Sequence, residues 1–130
     1  MSAHGDPPLD CTAVTAVISE QISAIHLESY ETPVTRAVTH VLGDLVVAVL
    51  DITLSAIERR MIEFGRANLV HELRDAVQSA QEASFKAVVE RATGRRVVAF
   101  ASHTSVQPPF VAELFRLGPE PPSAEPYELW

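Results

Sequence analysis

The run LVVAVLDI, residues 45 to 52, constrains the fold more than any other stretch of this chain. It follows the turn pair Gly43-Asp44 and is rich in the β-branched residues that favour extended backbone. Successive side chains of a strand point to opposite faces, and here both faces are apolar. One face must lie against helices. The other needs cover too, and a second copy of the chain is one way to supply it. The apolar window extends only from Leu45 to Leu54, ten residues including Asp51, whereas a membrane-spanning helix needs about 20. No direct membrane span is expected.

Upstream of the turn the pattern has a period of two. Thr35, Ala37, Thr39 and Val41 face one way, and Val34, Arg36, Val38 and His40 the other. Residues 34 to 42 and 45 to 52 therefore read as a β-hairpin. Before it, Val14, Val17, Ile18, Ile22 and Ile25 recur at helical spacing, which predicts a helix from an Asp10 N-cap to about Tyr30, stopped by Thr32-Pro33.

After the hairpin, SAIE at 55 to 58 matches a capping box, opening a helix to Phe64 that Gly65 ends. Asn68 is read as the cap of a longer helix to Thr93, with Val70, Leu73, Val77, Ala80, Ser84 and Val88 on its buried stripe and Gly94 as its stop. Residues 95 to 103 and 110 to 117 read as two further strands, joined through TSVQPP, whose two prolines are expected to stay out of any ladder. The order α-β-β-α-α-β-β predicts an α+β fold: a four-stranded antiparallel sheet with helices packed mainly on one face. Residues 9 to 117 form the expected domain. Residues 1 to 8 and the Pro- and Glu-rich segment 118 to 130 are expected to be disordered, with Tyr127, Leu129 and Trp130 as a candidate docking motif weighed against a solvated terminus.

Seventeen acids against ten bases leave a formal charge of −7, so no nucleic acid partner is expected, because phosphate binding needs a cationic face. A single cysteine, Cys11, and a start, MSAHGDPP, without a basic region or an apolar core point to the cytoplasm.

Candidate chemistry is sparse. His71 and Asp75 in HELRD share a helix face, but a zinc protease motif needs histidine at 75, and an exposed polar face explains them more simply. His103 lies among Ser102, Thr104 and Ser105 without a nucleophile elbow, so it reads as a strand end turning a corner. His40 and His103 would meet only if the outer strands ran side by side. Arg91, Arg95 and Arg96 form a basic patch that either receives an anion or balances the dipole of the long helix. No catalytic constellation, phosphate loop, metal set or cofactor motif emerges, and no enzyme activity is expected.

Three stretches carry a resemblance: DLVVAVLDITLSAIERRMIEFGR at 44 to 66, LVHELRDAVQ at 69 to 78 and VVERATGRRVVAFASHTSVQPPFVAELFRL at 88 to 117. Together they resemble the bacterial MpsC-type domain. The matching positions are Leu54-Ser55, Glu58-Arg59, Gly65-Arg66, Arg74 and Thr93-Gly94-Arg95. The chain departs from the family in having YETPVTR where a glycine-rich segment is common, and His103 where an aspartate is common. The resemblance implies a non-enzymatic accessory or interaction domain of a cation-translocating, membrane-potential-generating or inorganic-carbon system. Such a domain would be a homodimer, peripheral to the inner face of the membrane and contacting a membrane-protein partner. Arg59, Arg66, Arg74, Arg95 and His103 are its candidate partner- or ligand-binding residues. The competing reading is a small-ligand sensor or enzyme built around Arg74, Arg95 and His103, which requires those three to converge on one cleft.

Overall fold

The computed structural model describes residues 11–119. The order is α1 (Cys11–Tyr30), β1 (Val34–Leu42), β2 (Leu45–Ile52), α2 (Ala56–Glu63), α3 (Ala67–Thr93), β3 (Val97–Val106) and β4 (Pro109–Leu117). The strands form one antiparallel sheet in the order β1-β2-β4-β3. This is the α+β architecture expected from the hydrophobic pattern. The Asp10 cap, residues 1 to 8 and the Tyr127–Trp130 motif lie outside the described residues.

Local chemistry sets the element ends. Helix α1 stops where Glu31 takes a left-handed conformation at φ 59° and donates its N–H to the Leu27 carbonyl. The β1–β2 turn uses Gly43 at φ 62°, a conformation glycine reaches without penalty. Helix α2 opens on the full capping box: Glu58 N–H donates to Ser55 Oγ at 3.2 Å, and Ser55 N–H donates to Glu58 Oε1 at 2.8 Å. Gly94 ends α3 at φ 72°, and its N–H bonds to the Glu90 carbonyl.

The sheet has two unlike faces. Val46, Ala48, Leu50 and Ile52 of β2 and Val111, Phe115 and Leu117 of β4 point towards the helices and are buried. Ile18 and Ile22 of α1 and Phe85, Val88 and Val89 of α3 complete this core. Each such aliphatic or aromatic side chain contributes about 1.5–3 kcal/mol when withdrawn from water. On the opposite face Val38, Val47, Val49, Ala112 and Leu114 are only half-buried, and no described element lies over them.

Three expectations are corrected. Asn68 is the second residue of α3, not its cap; the N-cap is Arg66, which makes no side-chain capping bond. The buried stripe of α3 runs Val70, Arg74, Gln78, Phe85, Val88 and Val89, and leaves Leu73 52% exposed. The helix is turned by about one residue because Arg74 has a carboxylate to meet in the interior and Leu73 does not. Strand β3 continues to Val106, and Pro109 begins β4 opposite it. His103 is therefore mid-strand, paired with Ala112, and does not turn a corner. Gly118, just past β4, is buried, and its N–H donates to the Arg96 carbonyl at 2.8 Å.

Candidate functional site

Two polar clusters sit between the helices and the sheet. The first joins the three helices. Arg74, fully buried, donates from Nε to Glu58 Oε2 at 2.7 Å and from Nη2 to Glu58 Oε1 at 2.8 Å. This is the bidentate fork that guanidinium and carboxylate geometry favour. Its Nη1 lies 3.2 Å from His26 Nε2. Arginine has no acceptor, so Nε2 must accept and the His26 proton sits on Nδ1. The guanidinium also lies over the Tyr30 ring, 4.0 Å from its centre, a cation–π contact.

Electrostatics follow from this packing. Burial, then the Arg74 charge, lowers His26 to about 4, against a smaller opposing pull from Glu58. His26 is therefore neutral near pH 7. Burial alone pushes the Glu58 carboxyl up. Hydrogen bonds from Arg74 and Ser55, with the guanidinium charge, outweigh it and hold the group below the usual carboxylate range. Burial raises the Tyr30 phenol to about 12. The cluster is one ion pair with a neutral imidazole and a neutral phenol, suited to holding helices and not to moving protons.

The second cluster lies under α3. Glu113 of β4 is fully buried on the helix-facing side, directly opposite Ser102 of β3. Gln78 of α3 reaches the same region, and Thr104 lies on the same sheet face one rung along. Burial pushes the Glu113 carboxyl up to about 7, with Ser102 and Gln78 pulling the other way. Both carboxyl oxygens, the Gln78 amide and the Ser102 and Thr104 hydroxyls have no hydrogen-bond partner in good geometry. A cleft of about 260 Å³ between α3 and β3, lined by Asp75, Gln78, Ser79, Glu82, Phe100 and Ser102, reaches this group from the surface.

The five residues singled out from sequence are dispersed. Arg74 is the buried helix junction just described. Arg95 bonds Asp44 Oδ1 at 2.9 Å and the Gly118 carbonyl, tying the β1–β2 turn to the end of β4. His103 is exposed, on the sheet face away from Arg74. Arg74, Arg95 and His103 share no cleft among the described residues, so the ligand site proposed around them is not formed. Arg59 is exposed and donates to the Leu54 carbonyl at 2.7 Å, beside a cleft of about 470 Å³ lined by Leu54, Ile62, Val106 and Pro108. Arg66 is exposed at the start of α3. His40 and His103 lie on opposite edge strands, three strand spacings or about 14 Å apart.

His26, Tyr30, Gln78 and Glu113 were not singled out. His26 lies one residue past Ile25 on the apolar stripe of α1, and Glu113 alternates in phase with Val111 and Phe115. A polar residue on an apolar phase was the available signal.

The comparisons with known proteins give one positive result. No curated protein and no solved structure matches the chain. A scan against protein families matches residues 12–118 to the family described as the Na+-translocating membrane potential-generating system (MpsC). That match spans α1 to the end of β4, the whole sheet and every helix that packs on it, and so the chain belongs to the MpsC family.

Proposed function

We propose that the protein is a non-enzymatic accessory domain of a Na+-translocating, membrane-potential-generating system, working as a homodimer at the cytoplasmic face of a membrane-protein partner. Family membership supports the system. No helix among the described residues is long and apolar enough to cross a membrane, so this part of the chain acts on such a system without itself forming a helical span.

The observation that carries the dimer is the open sheet face. Val38, Val47, Val49, Ala112 and Leu114 make a contiguous apolar surface, continued by the 62%-exposed Leu42. A second copy suits this surface because the charge on it is mixed: Arg36 and Arg116 accompany Asp51. The net charge of −7 therefore does not concentrate where two copies would meet. Two sheets stacked face to face at about 10 Å would withdraw both apolar faces from water. The membrane-protein contact is assigned to the exposed rim carrying Arg59 and Arg66, which the dimer leaves free.

Light scattering on the purified chain tests the dimer, and capture of membrane proteins by wild type against Arg59→Glu/Arg66→Glu tests the rim. Loss of capture in that variant, with the dimer intact, supports the assignment. Equal capture by both proteins contradicts it.

A further inference from the structure

We propose that Glu113, Gln78, Ser102 and Thr104 form a binding site for one monovalent alkali cation, reached through the cleft between α3 and β3. The inference stands apart from the dimer and the partner contact, and rests on the second polar cluster alone.

Five buried oxygen atoms gather there without a well-formed hydrogen bond: Glu113 Oε1 and Oε2, Gln78 Oε1, Ser102 Oγ and Thr104 Oγ1. Ser102 and Gln78 make only loose contacts that pull the Glu113 carboxyl down. Buried polar atoms are nearly always paired, so a group of this size on three adjoining elements calls for an occupant. Carboxylate, amide and hydroxyl oxygens are the donors that hard cations take. The Gln78 amide nitrogen also lacks a well-formed hydrogen bond, so its contact with Glu113 is loose enough for the amide to turn its oxygen to a cation.

Charge selects the class. One carboxylate and three neutral side chains balance a single positive charge. A divalent ion would leave a net charge inside the core, which is costly. The other charged groups nearby leave that balance intact. Arg74 is neutralised by Glu58, and Tyr30, raised to about 12, carries no charge near neutrality. Asp75 and Glu82 stand at the mouth of the cleft, Glu82 paired with Lys86 at 2.7 Å, and give an acidic approach that attracts cations.

The proton is the competitor. With the carboxyl at about 7, an empty site holds a proton for much of the time at neutral pH. Cation entry then expels it: the protonated carboxyl and the cation become a carboxylate–cation pair and one released proton. Affinity therefore rises with pH.

Thermal unfolding of the full chain at fixed ionic strength tests this, comparing sodium, potassium, magnesium and choline chlorides at pH 8 and pH 5.5. The expected result is a midpoint at pH 8 higher by about 3 °C or more in sodium or potassium than in choline. That difference should shrink at pH 5.5, magnesium should not replace the alkali ion, and titration of the wild type should release protons. Glu113→Gln, which keeps the side-chain shape, should abolish the response. Ser102→Ala and Thr104→Val should each raise the half-saturating concentration several-fold. Equal midpoints in all four salts, as expected if only water fills the cluster, overturn the proposal, and so does an undiminished response in Glu113→Gln. Should that variant fail to fold, wild-type proton release and the Ser102→Ala shift decide the matter.

Discussion

The Arg74 guanidinium holds the Glu58 carboxylate through two parallel hydrogen bonds of 2.7 and 2.8 Å, both groups withdrawn from solvent. The same carboxylate closes the capping box with Ser55, so one side chain starts α2 and fastens it to α3. With His26 and Tyr30 against the guanidinium, α1 joins the same point.

Removing one partner leaves the other charged and buried. Arg74→Met should destabilise the fold by about 3–5 kcal/mol, read from urea unfolding. The double variant Arg74→Met/Glu58→Gln should cost clearly less than the two single variants added together, because the double variant buries no lone charge whereas each single one does. Simple additivity would show that the pair is uncoupled.

Ser55→Ala isolates the cap from the ion pair. It should cost about 1 kcal/mol, the usual price of losing an N-cap hydroxyl. A loss well above that would mean that Ser55 also holds Glu58 in place for Arg74.

Two buried groups give stability opposite slopes with pH. His26 has a folded value of about 4 against an ordinary 6.5, so its contribution is full above pH 6.5 and is lost as pH falls towards 4. Glu113 has a folded value of about 7 against 4.5, so its contribution is full below pH 4.5 and is lost as pH rises through 7. Ser102 and Gln78, which face Glu113, carry no charge, and the nearby Tyr30 phenol, raised to about 12, stays neutral in that window. Without alkali cations, Glu113→Gln should therefore gain on wild type between pH 5 and pH 8, by up to about 3 kcal/mol. A difference constant across that range would place the carboxyl in solvent.

Gly94 offers a backbone test. A Cβ there meets nothing within 4 Å, so Gly94→Ala carries only the strain of φ 72°. It should cost about 1–2 kcal/mol, and Gly94→Asn less, in thermal unfolding. Equal effects of the two substitutions would argue against a left-handed cap.

Much of this fold was legible in the residues. Glycine conformation and the serine–glutamate pairing act over four residues or fewer, so the β1–β2 turn, the α2 capping box and the Gly94 stop could be read locally. The two-sided apolarity of β2 led to helices on one face of the sheet. What failed was tertiary. Leu73 looked like a core residue and Arg74 like a binding residue, because the hydrophobic stripe cannot show that Glu58 waits inside to pair an arginine. His103 looked like a corner because Pro108 and Pro109 seemed to end the strand early, whereas the ladder runs on to Val106 opposite Pro109. Glu113 and Gln78 came from segments 35 residues apart, and only the β3–β4 register and the docking of α3 bring them to one place.

The central claim is that the open sheet face is covered by a second copy. Light scattering at micromolar concentration measures this directly. Wild type should run at about twice the chain mass of 14.2 kDa, and Val49→Lys/Leu114→Lys, which places charge on that face, should run as a folded monomer. A wild-type monomer, or a dimer indifferent to both lysines, would contradict it.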